Sequence, residues 1–470
     1  MLKKQHHSNT SVGSFSQINL LRTMESAMPS QLYSASESNS EKDEDAIRLQ
    51  QHIPQVHQFM ELQGRIGEGT FSYVYKARLK SQPDRYFALK YIIPTSHPSR
   101  IMKELRYLKD IGGKDNVVEL KTCFLHKGNV AIVMPFFAHD RFSDYVRLLS
   151  VNEVREYMRN LLKALARVHQ FKVVHRDIKP SNFLYNRERK QYCLVDFGLA
   201  EKIENEIKCL SPAFGYSQGR KRARNDQENL ESKVKRICQM QMTPGALRVS
   251  NGVTPGTMLT GGLRGPGVST PIPSNVKLER RRSDTHLTSK RCLCFGRNEV
   301  CNVCLSRPTE VAPRAGTPGF RAPEVLMKFR NQSTAIDIWS AAVIYLSLLS
   351  GRYPFFRAHD DLSALAEVIT LLGSVKVEAA AEAIGKKLTT SSRKEPMDMA
   401  ALCLSLRGVD NPQRRACLDP SWLHVDRVAF DLLYKLLDPN PFTRITAEQA
   451  LQHPFLREGS RMLDNSISYQ

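Results

Sequence analysis

Two carboxylates, an amide and an ammonium stand close together in Val174-His175-Arg176-Asp177-Ile178-Lys179-Pro180-Ser181-Asn182-Phe183-Leu184 and the following Leu194-Val195-Asp196-Phe197-Gly198. Asn182 and Asp196 offer the hard oxygen ligands that Mg2+ prefers. Asp177 can orient a hydroxyl and accept its proton, and Lys179 can stabilise a migrating phosphate. Phosphoryl transfer needs this equipment, because spread negative charge must be neutralised while donor and acceptor are held in line.

Upstream, Phe87-Ala88-Leu89-Lys90 sets an ammonium among apolar neighbours, and Glu104 lies on the next helical segment. A lysine there is costly unless paired, and Glu104 together with a nucleotide phosphate supplies the anions. Alone, Lys90 would read as a side chain snorkelling from a strand edge to water. Before it comes Ile66-Gly67-Glu68-Gly69-Thr70-Phe71-Ser72-Tyr73-Val74, whose glycines let a strand, turn and strand fold over a triphosphate with backbone N–H groups facing its oxygens. Ser72 stands where a third glycine would complete that pattern.

The elements that must position these groups follow from the apolar periodicity. Short β-rich runs from Leu62 to Ile93 predict a small antiparallel sheet. Arg100 to Asp110 has helical spacing, Val117 to Cys123 and Val130 to Met134 predict further strands, and Val154 to Phe171 predicts an amphipathic helix. Helical patterning returns at Ile336 to Leu349, Leu362 to Leu372 and Val428 to Leu437. Residues 1–55 read as a disordered Ser-rich tail. The stretch of about 201–312, rich in Gly, Pro, Ser, Thr and Arg, reads as an insert that is mostly disordered, and about 375–420 as a second, irregular insert.

The 470 residues are 41% hydrophobic and 24% charged, which excludes a collagen, a coiled coil and a short disulfide scaffold. No apolar run reaches the about 18 residues of a membrane span, and the N-terminus lacks the apolar core of a secretory signal, so an intracellular protein is expected. The formal charge of +21, from 68 Lys+Arg against 47 Asp+Glu, attracts nucleic acid and acidic peptides alike. No nucleic-acid-binding signature accompanies it, and direct nucleic-acid binding is not expected. Cys292-Leu293-Cys294 and Cys301-Asn302-Val303-Cys304 could close tetrahedrally on a structural Zn2+, or remain a reduced, metal-free cluster. The basic clusters Arg220 to Arg224 and Lys233 to Arg236 resemble a bipartite nuclear import signal, or else are solvated charge.

Together, the Lys90 strand, the Asp177 loop and the Asp196 motif resemble the eukaryotic protein kinases. That resemblance implies an α+β, bilobal fold over residues 56–458, with an antiparallel-sheet N-lobe (56–135), a mainly helical C-lobe (136–458) and a tail at 459–470. It implies ATP and Mg2+ as cofactors. The adenine would lie between Ile66, Val74 and Ala88 above and Leu184 below, with Met134 as gatekeeper and Pro135 to Phe137 as hinge. Gly316-Thr317-Pro318-Gly319-Phe320-Arg321-Ala322-Pro323-Glu324 looks like the end of an activation segment, with Glu324 expected to pair with Arg444. Lys179 and Gly316-Thr317 match Ser/Thr kinases. Thr317 is expected to hydrogen-bond near Asp177 and Lys179, and Arg314 and Arg321 to favour an acidic or phosphorylated residue after the phosphoacceptor.

The long insert and the phrase Arg314-Ala315-Gly316-Thr317-Pro318-Gly319-Phe320-Arg321 are similar to the cell division cycle seven family. What that implies is a nuclear kinase switched on by a Dbf-type regulatory subunit, acting on acidic tails of the MCM helicase. The alternatives are a pseudokinase scaffold that binds partners, against which the intact Lys90, Asp177, Asn182 and Asp196 argue, and a Ser/Thr kinase with other nuclear substrates.

Overall fold

The computed structural model describes residues 39–69, 71–93, 96–203 and 312–457. Two helices, α1 (Asn39–His52) and α2 (Pro54–Phe59), lead into the strands β1 (Met60–Gly69), β2 (Ser72–Leu79) and β3 (Gln82–Ile92). Helix α3 (Pro98–Ile111) precedes β4 (Thr122–His126) and β5 (Asn129–Pro135). The five strands form one antiparallel sheet in the order β1-β2-β3-β5-β4. Alternation along β3 gives the sheet two faces. Leu89 and Tyr91 join the cluster under α1 and α2, whereas Ile92 joins the larger core on the α3 side, the face shared by Lys90.

The C-lobe begins with the short α4 (Phe142–Tyr145) and the long α5 (Val151–Gln170). A capping box of Ser150 and Glu153 starts α5, and Val154, Tyr157, Met158, Leu161, Leu162, Leu165 and Val168 form its buried stripe. Three hairpin-scale strands, β6 (Val173–Val174), β7 (Phe183–Asn186) and β8 (Gln191–Leu194), hold the Asp177 loop between them, and β9 (Glu201–Lys202) pairs back on β6. After α6 (Pro323–Leu326) comes α7 (Ala335–Ser350), in which every residue is buried. A helix buried on every side belongs inside a lobe, and here it is a post against which α5 packs. The later helices are α8 (Asp361–Leu372), α9 (Ser374–Ala383), α10 (Met399–Arg407), α11 (Pro412–Arg415), α12 (Arg427–Leu436), α13 (Ala447–Leu451) and α14 (Pro454–Arg457), of which α10 and α12 pack closely on α7. Among the described residues no helix is long and apolar enough to cross a membrane. The bilobal α+β class expected from the sequence is the one observed.

Three expectations are corrected. The tail expected over 1–55 gives way to helix from Asn39, and Leu49, Ile53 and Val56 are fully buried against the sheet with Met60. Their spacing is an apolar helical stripe, masked by the Glu, Asp, Gln and Ser around it. The stretch 375–420 is only partly irregular, since helices over 374–383, 399–407 and 412–415 flank the element-free residues 384–398. Val377, Ala380 and Ala381 of α9 and Met399 and Cys403 of α10 are buried, and alanine carries too little apolar signal to announce such a face. Buried Arg407 lies 3.6 Å from the Trp422 ring centroid and donates to the carbonyls of Leu349 and Arg147 at 2.9 and 3.2 Å. Finally, the strand expected from Val117 begins at Thr122, because Val117 and Val118 pair instead with Leu194 below the sheet.

Thr70, Cys292, Cys294, Cys301 and Cys304 lie outside the described residues, as do the terminal segments 1–38 and 458–470 and residues 204–311 of the insert.

Candidate active site

Lys90 and Glu104 reach the cleft from opposite elements, the third strand and the helix that follows it. Helix α3 starts at Pro98, with the His97 ring accepting from the Ser99 N–H, and its inner face carries Ile101, Glu104, Leu105 and Leu108 into the core. That anchoring brings Glu104 Oε1 to 2.6 Å from Lys90 Nζ, and Asp196 Oδ1 lies 2.8 Å from the same nitrogen. Burial works to lower the Lys90 pKa, but the carboxylates of Asp196 and Glu104 outweigh it and hold it above the usual lysine value. The Lys90 ammonium, opposed by burial, keeps the Asp196 carboxyl well below the ordinary carboxylate range. Burial raises the Glu104 pKa, with Lys90 acting against it.

Beneath them, the loop between β6 and β7 is tied to α7. Asp337, 1% exposed, accepts from the backbone N–H groups of His175 at 2.8 Å and Arg176 at 2.9 Å. Asn182 Nδ2 donates to the Asp177 carbonyl at 2.8 Å and to its Oδ2 at 3.0 Å. The Asn182 amide nitrogen is thereby committed, and its carbonyl oxygen is the atom left to meet a cation. Phe197 is buried edge-on against the His175 ring at 5.0 Å, which turns its neighbour Asp196 toward the cleft. The Asp196 side chain remains 44% exposed there. A carboxylate and an amide oxygen make a donor set that fits Mg2+.

Thr317 closes the arrangement from the far side of the chain. Its hydroxyl donates to Asp177 Oδ1 at 2.7 Å and accepts from Lys179 Nζ at 3.0 Å, while Lys179 lies 2.9 Å from Asp177 Oδ2. Gly316 makes this approach possible. Its φ is +104°, and a Cβ there would come within 2.8 Å of the Arg176 carbonyl. Gly198 is under a similar constraint, since a Cβ would meet Asp196 Oδ1 at 3.1 Å.

The cavity so enclosed measures about 540 Å3 and is lined by Glu68, Gly69, Phe71 and Ser72 above and by Lys90, Glu104, Asp177, Lys179 and Asp196 within. A Cβ at Gly67 or Gly69 would make only ordinary contacts inside the chain, at 3.5 and 3.6 Å, so packing alone does not demand glycine there. The expected adenine residues line none of this cavity. Sheet register sets Val74 opposite both Gly67 and Lys90, and Ala88 opposite buried Met134. Tyr73 lies beside Val74 on β2 under the Arg65 guanidinium, Leu184 is half-buried on β7, and Ile66 is 49% exposed.

Sequence reasoning missed three partners. Asp361, at the start of α8, receives both Arg314, at 2.6 and 3.1 Å, and Arg321, at 3.1 Å. Arg321 also donates to the Gly316 carbonyl at 2.8 Å. Arg100 of α3 donates to the Gly198 carbonyl at 3.3 Å while its guanidinium lies 4.5 Å from the Phe71 ring centroid. Glu201 of β9 meets Arg176. Nothing in local pattern marks these contacts, since each joins residues far apart in the chain. The Glu324–Arg444 pair expected from the sequence is present, at 2.7 and 2.9 Å.

Comparison with known proteins gives a consistent result. The family described as protein kinase domain matches residues 60–217 and 301–456. The human cell division cycle 7-related protein kinase is 38% identical over 88% of this chain and 92% of its own. The Drosophila melanogaster non-specific serine/threonine protein kinase Cdc7 is 34% identical over 88% of this chain and 77% of its own. The Schizosaccharomyces pombe cell cycle protein kinase spo4 is 29% identical, with 90% of each chain covered.

Proposed function

The chain belongs to the protein kinase family, among its cell division cycle 7-related serine/threonine members, and from that premise we propose that it promotes initiation of DNA replication by phosphorylating acidic tails of the MCM helicase. In this reading a Dbf-type regulatory subunit holds α3 inward, and the protein works in the nucleus. The cysteine pairs of the insert, Cys292 with Cys294 and Cys301 with Cys304, are proposed to bind a structural Zn2+.

One observation carries the catalytic part: Lys90, Glu104, Asp177, Asn182 and Asp196 converge on one cleft. Lys90 has one ammonium donor to spare for ATP phosphate beyond its two carboxylates. Mg2+, when bound by Asp196 and Asn182, neutralises phosphate charge. Asp177 orients a substrate serine or threonine hydroxyl and takes its proton as the oxygen bonds to the γ-phosphorus and ADP departs. Lys179 balances the charge that moves across. The acidic-substrate part rests on Arg314, whose side chain is 57% exposed beside the Thr317 loop.

The test is transfer of labelled phosphate to an acidic MCM-tail peptide by the full chain with and without its regulatory subunit. Asp196→Asn should abolish transfer while leaving the complex intact. Complex formation with no transfer by either form would favour a partner-binding scaffold, and transfer only to other nuclear proteins would keep the kinase and discard the substrate.

A further inference from the structure

Arg176 and Lys103 each precede a residue of the catalytic set, Asp177 in the loop and Glu104 on α3, and both point to the same carboxylate. Glu201 on β9 bonds the Arg176 guanidinium and lies 3.5 Å from Lys103 Nζ. Resting on the kinase reading above, we propose that Glu201 is a positioning residue that couples the α3 helix to the catalytic loop, so that Glu104 and Asp177 are in register at the same time.

The surroundings of Arg176 favour such a role. Its backbone is held in the left-handed region, at φ +69°, by the Asp337 carboxylate that takes its N–H. Its side chain is 15% exposed, and its Nε is buried with no acceptor among the described residues. Glu201 is therefore the carboxylate that balances this guanidinium, and losing it leaves a mostly buried cation to seek another place. Glu201 is itself held in place, because β9 pairs with β6 so that Glu201 faces Val174, one residue ahead of the His175-Arg176-Asp177 turn. Lys103 is 51% exposed and Glu201 42% exposed. An ion pair that open adds little to global stability, and its value lies in fixing the helix relative to the loop. Arg100, one turn earlier on α3, makes a parallel contact to the Gly198 carbonyl.

Four full-length variants test this in the complex with the regulatory subunit, using an acidic serine peptide and varied ATP: Glu201→Gln, Glu201→Asp, Lys103→Met and the double of Glu201→Gln with Lys103→Met. Glu201→Gln should lower kcat, measured on the folded fraction, about tenfold with KM for ATP unchanged, and Lys103→Met should lower it about threefold. The double variant should be no worse than Glu201→Gln alone, because both remove one shared interaction. Glu201→Asp, which keeps the charge, should recover most of the rate. A wild-type kcat in Glu201→Gln, additive losses in the double variant, or a kcat in Glu201→Asp no better than in Glu201→Gln would each overturn the proposal. Absence of transfer by the wild-type complex would instead overturn the kinase reading itself.

Discussion

Lys90 and Arg444 both meet carboxylates inside the protein, yet they are satisfied to different degrees. Arg444 donates from Nε to the Asp438 carbonyl, from Nη1 to Glu324 and the Ala335 carbonyl, and from Nη2 to Glu324 and the Pro439 carbonyl. That uses the full donor set of an arginine, and the side chains of this pair are 0% and 1% exposed. Lys90 gives Nζ to Glu104 and Asp196 and has a donor left over, in a cleft where Asp196 is still 44% exposed. A sealed, fully satisfied pair joins parts of a lobe, whereas an open and incompletely satisfied one can receive a ligand.

Removing each cation separates the two behaviours most sharply. Lys90→Met should lower kcat/KM for peptide phosphorylation by about 10^2- to 10^3-fold. The cost to stability is limited, because Glu104, whose pKa burial already raises, can take up a proton. Initial rates together with urea unfolding check both halves, and an active Lys90→Met variant would break the comparison.

Arg444→Met should act the other way, costing about 3–5 kcal/mol in stability. It strands Glu324 and three backbone carbonyls, and the rate should fall only as the folded fraction falls. Chemical unfolding and rates measured on the folded fraction test this. A specific loss of kcat in fully folded Arg444→Met would make Arg444 more than a structural anchor.

The pH dependence sharpens the contrast further. Asp196 titrates below its ordinary 3.8 in the folded chain, so its stabilising contribution is present above that pH and lost as pH falls through the depressed value. Lys90 titrates above its ordinary 10.5, so its contribution is present below that pH and lost as pH rises through the raised value. The stability gap between wild type and Lys90→Met should widen as pH rises above the ordinary 4.5 of Glu104, because buried Glu104 takes up a proton in the variant and that proton is harder to hold at higher pH. It should narrow in acid below pH 3.8 and in alkali above pH 10.5. Unfolding free energies across pH decide it, and a gap that stays flat above pH 4.5 would show that Glu104 does not take up the proton.

The smallest effect is expected where ionic contact is most exposed. Arg314→Ala should leave Tm unchanged and reduce the preference for an acidic over a neutral residue after the phosphoacceptor by about threefold to tenfold. Unchanged preference in peptide libraries would show that the Arg314–Asp361 pair serves the segment alone.

How much of this was legible in the chain depended on distance along it. Asp177, Lys179 and Asn182 sit within one loop, and Asp196 follows after one hairpin, so residue type and spacing were enough to read them as a set. Lys90 and Glu104 could be paired because the intervening pattern is a strand followed by a helix. Helix α1 and the helices of 374–415 were not legible, since their buried faces are built from single apolar residues among charges, or from alanine. Asp361 and Glu201 gave no local sign at all, because a carboxylate's partner is chosen by which loops come to rest beside it.

By itself, then, the amino-acid order determined which groups could perform phosphoryl transfer and the order of strands first and helices after, because both follow from residue chemistry and short-range periodicity, while the two lobes were implied by the family resemblance. Only the tertiary structure decided which charges meet. It brought Glu201 to Arg176 and Asp361 to Arg314, since these contacts depend on tertiary packing that no local stretch of chain encodes.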